Sequence, residues 1–209
     1  INDASTDNTK QIINSIKDSR IKYYENEKNM GPSYSRKIAL NHSRGEYIAV
    51  IDSDDLMIEK RLEKQLKYLE TNPDIAVVGS YFTCINEIGK KIGSIKWPSG
   101  IKYNMYRSLY GENPVGQPGV LMRKDVVYKA GKYRNKFDFS EDLDLWLRIY
   151  SLGYFIDNIP EYLTLYRIHS NSVSSQYKKR QIYNQRLAFH DFYYNMTKIS
   201  INYQVINRY

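Results

Sequence analysis

One five-residue run constrains the fold more than any other feature. Tyr47-Ile48-Ala49-Val50-Ile51 is apolar, rich in β-branched residues and bounded by Gly45 and Asp52. Such a run suits a strand covered on both faces, as in a parallel sheet. Helix-like and strand-like segments alternate around it. Ser5 or Thr6 can cap a helix from Thr9 to Lys17, with Ile12, Ile13 and Ile16 on one side. Ile21 to Tyr24 is a short β-type run, and Gly31 to Ser43 is again helical. Leu62, Leu66 and Leu69 recur at helical spacing until Asn72-Pro73 stops them, and Ile75 to Val78 follows as a strand. This βαβαβ order predicts a mostly parallel central sheet with helices on both faces.

Beyond residue 80 the pattern changes. Phe82 to Ile95 reads as a hairpin turning near Asn86 to Gly89, and Asn113 to Gly119 is a Pro/Gly-rich loop leading into Val120-Leu121-Met122. Glu141 to Ser151 is an amphipathic helix, Tyr154 to Ile159 and Leu163 to Tyr166 are short strands, and residues 178–197 are helical, basic and aromatic. The expected organisation is one α/β domain over residues 1–175 with a helical appendage over 176–209. The opening Asn2-Asp3-Ala4-Ser5 reads as a loop following a strand, so a further N-terminal strand is expected before Ile1.

Length and composition fit this plan. A chain of 209 residues can bury a sizeable core, and 42% hydrophobic with 26% charged residues is ordinary for a globular protein. No run of about 18 apolar residues marks a membrane span, no secretory leader is legible, and the one cysteine, Cys84, fits a reducing, cytoplasmic setting. The 31 Lys plus Arg against 23 Asp plus Glu, formally +8, favour anionic partners. These residues are scattered, with Lys178-Lys179-Arg180 the one dense group, so they point to an anionic substrate and not to nucleic acid.

Four segments can carry chemistry. Asp52-Ser53-Asp54-Asp55 directly follows the apolar run, at the strand end where open α/β sheets bind ligands. Carboxylates so close repel unless a divalent cation or a sugar hydroxyl offsets them; the plain alternative is a solvated turn capping the next helix. Asp3 to Thr9 is a polar loop that can either cap a helix or bond a nucleoside. Glu141-Asp142 opens a helix whose N-terminus lowers the pKa of Asp142 while Glu141 raises it, giving a base able to accept a hydroxyl proton. The alternative is favourable acidic decoration of a helix start. Among three histidines, His169, after a strand and among small polar residues, is the best candidate metal ligand.

In order and spacing these pieces resemble the inverting family 2 glycosyltransferases of the GT-A fold, a Rossmann-like class. The matching segments are Asn2 to Thr9, Asn29-Met30-Gly31 with Ser35-Arg36, Gly45 to Ala49, Asp52 to Asp55, Glu141 to Arg148 and Tyr166 to His169. The resemblance implies that Asp3 contacts the nucleotide base and that Arg36 and Asp52 lie at the nucleotide. It implies that Asp54, in an Asp-x-Asp element, holds Mn²⁺ or Mg²⁺ with His169, and that Asp142 is the general base. This chain departs from the family pattern at Asn2, where Asp is usual, and in lacking the first strand and helix before Ile1.

The implied partners are a nucleotide-sugar donor, UDP-linked before GDP- or dTDP-linked, and a carbohydrate or lipid-linked acceptor in cell-surface polysaccharide or glycolipid synthesis. Two other functions stay open at this point: a sugar-nucleotide-forming nucleotidyltransferase, and a basic polyanion-binding module. The Tyr-rich tail can touch the inner face of an anionic membrane, pack on the domain, or pair two copies of the chain.

Overall fold

The structure is a computed structural model describing residues 1–169 and 177–198. The Ser170-Asn171-Ser172 end of the histidine motif, Gln176 and the tail beyond Lys198 lie outside the described residues. The helices are α1 Thr9–Ser15, α2 Pro32–His42, α3 Arg61–Thr71, α4 Ile101–Leu109, α5 Lys124–Lys129, α6 Glu141–Ser151 and α7 Lys178–Thr197. The strands are β1 Tyr47–Ala49, β2 Leu56–Met57, β3 Ile75–Ile85, β4 Lys91–Ile95, β5 Leu121–Arg123 and β6 Phe155–Arg167.

The sheet runs β1-β5-β3-β6-β2, with β4 attached to the far half of β3. Successive residues of a strand point to opposite faces, and the core divides accordingly. Val77 and Met122 join Leu40, Val126, Val127, Trp146 and Ile149 from α2, α5 and α6 on one face. Val78 and Leu121 join Leu69 of α3, with Ile101 of α4 packed alongside, on the other. Helices therefore cover both faces, as expected.

The sheet is mixed and not mostly parallel. Among the described strands β3 and β6 pair in parallel, whereas β5 slots between β1 and β3 and runs against both. β1, β3 and β6 nevertheless share one direction, so the carboxyl ends of β1 and β6 meet at one edge. β2 joins them there, pairing Leu56 with Leu165 and Met57 with Thr164. That edge carries the acid turn after β1 and His169 after β6.

Other expectations are corrected in detail. β1 is only partly covered: Tyr47 and Ile48 are half-buried against the clusters on opposite faces, while Ala49 is exposed and Ile51 is 43% exposed. Ser5 and Thr6 do not cap α1, because Asn2 Oδ1 takes the Ser5 amide and Asp7 Oδ1 takes the Thr9 amide. No residue of α1 is buried, Ile12 being half exposed, and the helix ends at Ser15, short of Ile16 and Lys17. The Ile21–Tyr24 run forms no strand; the parallel bridge there joins Asn2 to Glu25. Residues 155–167 form one strand rather than two, with a register shift near Ser80 that absorbs Pro160, which has no N–H to donate.

The inward face of α3 is polar. Leu62 turns outward, while Arg61 and Gln65 are buried beside Leu69. Arg61 donates to the carbonyls of Val50 and Pro118, and Gln65 to those of Val78 and Gly119. A helix thus spends its core positions on pinning two loops, which hydrogen bonding makes tolerable in a dry interior. α7 also joins the core: Ala188 packs with Phe137, Leu143 and Leu147, Asn184 donates to the Asp138 carbonyl, and Asp191 pairs with Arg134 and Lys136. No helix among the described residues is long and apolar enough to cross a membrane.

Candidate active site

The acid turn is built from within. The Asp55 amide donates to the Asp52 carbonyl at 3.1 Å, closing the turn that follows β1. Asp55 itself is buried, and its Oδ1 accepts the Arg167 amide at 2.7 Å. Burial pushes the Asp55 carboxyl up to about 6, against the Arg167 amide, with Asp54 and Asp52 adding to the rise. Arg167 Nε donates to the Asp54 carbonyl at 2.7 Å. These bonds fasten the end of β6 to the acid turn, so His169, two residues on, meets Asp54: Nε2 and Oδ2 are 2.9 Å apart.

A second acidic group reaches the same region from α6. Ser140 precedes the helix, and its hydroxyl donates to the Gln181 carbonyl of α7 at 2.9 Å. Glu141 is buried and Asp142 is half-buried. Asp142 Oδ1 accepts the Leu143 amide at 2.8 Å, and its Oδ2 accepts Asn113 Nδ2 at 3.0 Å. Sequence reasoning set the helix N-terminus against Glu141; burial decides the balance. Burial first and Glu141 second push Asp142 up to about 7, against its helix amides and Arg36.

Arg36 of α2 joins the two acidic groups. Its Nη2 donates to Asp52 Oδ1 at 3.0 Å and its Nη1 donates to Glu141 Oε1. Burial works against the charge, yet Glu141 and Asp52 together raise the Arg36 pKa. Arg36, Asp52, Glu141 and Asp142 line one cleft of about 280 Å³, together with the aromatic residues Phe82, Trp97, Phe139 and Tyr166. Phe139 sits at φ 67°, a left-handed conformation costly for a bulky residue, between the pinned Asp138 and Ser140. Its ring stacks on Tyr177 with centroids 4.4 Å apart. A lining that mixes ionic groups with aromatic rings suits a ligand with both charged and apolar parts, as a sugar bearing phosphate has.

Among the expected site residues, Arg36, Asp52 and Asp142 therefore share the cleft, and Asp54 pairs with His169. Asp3 is occupied elsewhere: Oδ1 accepts Asn26 Nδ2 and the Met30 amide, and Oδ2 accepts the Gly31 amide, so it shapes the turn before α2. No group of three or more metal-ligating side chains exists among the described residues. Asp54 and His169 still fit a cation. Neighbouring ligands of an octahedral ion at about 2.1 Å lie roughly 3 Å apart, and small divalent ions complete their shell with water and phosphate oxygen.

Four contributors escaped the sequence. Asn113 lies in a Pro/Gly loop, where no periodicity says which side chain turns inward. In the sequence Asp55 is one acid of a run of acids, with nothing to mark a separate role. Arg61 and Gln65 had a usable signal, since residues 61, 65 and 69 follow i, i+4, i+8 spacing on one helix face.

Comparison with known proteins supports the architecture. A profile described as Glycosyl transferase family 2 matches residues 1–131. The glycosyltransferase MJ1057 of Methanocaldococcus jannaschii is 37% identical over 169 residues, covering 80% of this chain and 58% of the relative. The Escherichia coli UDP-Glc:alpha-D-GlcNAc-diphosphoundecaprenol beta-1,3-glucosyltransferase WfaP is 33% identical over 180 residues, covering 86% and 68%. The chain thus spans less than two thirds of the first relative's length. Staphylococcus aureus TarS 1-349, solved with UDP-GlcNAc, superposes with a TM-score of 0.65 at 16% identity, over 95% of this chain and 62% of that one. The GT-A architecture expected from the motifs is borne out.

Proposed function

Because the chain belongs to glycosyl transferase family 2, we propose that it moves a sugar from a nucleoside diphosphate to an acceptor hydroxyl with inversion, in synthesis of a cell-surface polysaccharide or glycolipid. One observation carries this function. Arg36 ties Asp52, at the end of β1, to Glu141, beside Asp142, across a single cleft. A transferase needs donor and acceptor groups at one carbon, and acids remote in sequence sharing a cleft meet that need.

In the proposed reaction the acceptor oxygen attacks the anomeric carbon as Asp142 takes its proton. The bond from that carbon to the diphosphate oxygen breaks, and its electron pair leaves with the nucleoside diphosphate. A base whose pKa lies near neutrality is efficient, since it is ionised at working pH yet accepts a proton readily. The Asp142 carboxyl, pushed up to about 7, meets that condition. Asp54 and His169 would hold Mn²⁺ or Mg²⁺, which when bound supplies Lewis-acid stabilisation to a leaving diphosphate. Arg36 brings its guanidinium to the cleft, held there by Asp52 and Glu141.

UDP is the first donor nucleotide to test, since WfaP is named for UDP-Glc, and its diphosphoundecaprenol acceptor supports a lipid-linked acceptor here. The test is a thermal-shift screen of UDP-, GDP- and dTDP-sugars with and without Mn²⁺. A ligand present only on the folded side raises the melting temperature by mass action. A metal-dependent rise with one nucleotide class is expected; no rise with any would sink the assignment.

A further inference from the structure

We propose that Asn113 is a positioning residue for Asp142: its amide fixes the carboxylate for proton transfer, a role that rests on Asp142 being the base. Asp142 is held at two points, Oδ1 by the Leu143 amide at 2.8 Å and Oδ2 by Asn113 Nδ2 at 3.0 Å. One bond alone leaves the carboxyl free to rotate about its last single bond. Two donors on different oxygens fix its plane. The orientation of the Asn113 amide follows from chemistry, because an ionised carboxylate only accepts and so must face the NH₂ group.

The loop carrying Asn113 is built to hold that position. Residues Pro114 to Gly119 are buried, which is unusual for a connecting loop. Buried side chains clamp its carbonyls: Asn158 Nδ2 donates to Pro114 at 2.9 Å, Arg61 to Pro118 at 2.9 Å and Gln65 to Gly119 at 2.7 Å. Gly116 and Gly119 let the backbone press onto the Phe82 ring, where a Cβ would come within 2.5 Å of ring carbons. A rigid loop delivering one amide to the base is the arrangement that preorganised sites use. Asn113 Oδ1 is buried and has no partner among the described residues, so the same amide keeps an acceptor for a ligand hydroxyl.

Among the described residues, the charged or titratable groups that act most strongly on Asp142 are Glu141 on its own helix and Arg36 from α2, and Tyr133 from the segment after α5 also senses its charge. Removing the Asn113 donor withdraws a bond made to the ionised form, so the base becomes harder to ionise. The experiment compares Asn113→Ala and Asn113→Asp with the wild type, using pH–rate profiles, donor KM and melting curves, with Asp142→Asn as reference. Asn113→Ala should move the acid limb about one to two pH units upward, the size expected for a hydrogen bond to a charged group. Asn113→Asp should move it further, through like charge. The kcat at neutral pH should fall at least tenfold, partly recovered in alkali, with donor KM and melting temperature little changed.

An acid limb unmoved in both variants, beside an inactive Asp142→Asn, would overturn the role of Asn113 while leaving the base intact. An Asp142→Asn protein turning over at the wild-type rate would remove the base itself, and the positioning role with it.

Discussion

Arg36 sits between Asp52 and Glu141, donating one guanidinium nitrogen to each. The three residues come from α2, the β1 turn and the start of α6, separated by 16 and 105 positions from Arg36. A planar guanidinium can make two separate carboxylate bonds while keeping its charge, which a lysine cannot reproduce in fixed geometry. Glu141 has little solvent to fall back on, its side chain being 3% exposed.

Loss of Arg36 should therefore cost stability as well as activity. Breaking a buried pair leaves an uncompensated charge, and Arg36→Ala should lose about 3 kcal/mol, the low end for such a change, because Arg36 keeps a quarter of its side chain in solvent. Urea denaturation measures this. A loss below about 0.5 kcal/mol, the range of ordinary surface changes, would show that the bridge does not hold the cleft.

The pH dependence follows from Asp142. Its carboxyl is pushed up to about 7, chiefly by burial. Only the ionised form accepts a proton, so kcat should fall as pH drops through about 7. Stability runs the opposite way. A carboxyl whose folded pKa exceeds its unfolded value binds protons more tightly when folded, so stability is lost as pH rises from the unfolded pKa to about 7 and is level above it. Asp142→Asn, which cannot ionise, should melt higher than the wild type at pH 8, with a smaller gap at pH 5. Equal gaps at both pH values would contradict the shift.

The Asp54–His169 contact separates metal binding from nucleotide binding. His169→Ala should weaken UDP binding in the presence of Mn²⁺ by roughly tenfold or more, the lower range for losing one ligand or its support. UDP binding in EDTA should be unchanged. Calorimetry in both conditions checks this, and equal weakening in both would assign His169 to the nucleotide instead.

Gly116 tests the rigid loop. An added Cβ would stand 2.2 Å from Phe82 Cζ and 2.9 Å from Trp97 Nε1. Gly116→Ala must displace a buried ring, and overpacking of this kind costs about 1–3 kcal/mol. The variant should melt lower and turn over more slowly; wild-type melting would show that the loop has room to give.

Much of the frame was legible because local pattern and tertiary role agree there. The boundaries of α6 match its expected span, since Leu143, Trp146 and Leu147 repeat at helical spacing and all are buried. The β3–β4 hairpin turns where Gly89, at φ 82°, allows it. Sheet direction was less legible, because strand order and sense are set by pairings between distant segments. β5 runs against β1 and β3, and nothing in Leu121-Met122-Arg123 encodes that. The β1 run reads as fully covered because apolar runs record hydrophobicity and not how completely neighbours pack on each face.

At the site, Asp52, Asp54, Asp142 and His169 stood out as charge or imidazole beside strand ends and a helix start. Their supports did not. Arg61 and Gln65 are inward-facing polar residues tolerated only because four carbonyls await them. Asn113 gains meaning only from the carboxylate it touches.

The central claim, that the acids near position 52 and the acid at 142 serve one reaction in one cleft, is tested most directly by Asp142→Asn. Sugar transfer and UDP–Mn²⁺ affinity should be measured on the same protein. A positioned base contributes about 10²–10⁴-fold, so transfer should fall by at least a hundredfold while nucleotide affinity stays within twofold of wild type. Transfer undiminished, or transfer and affinity lost in equal measure, would contradict it.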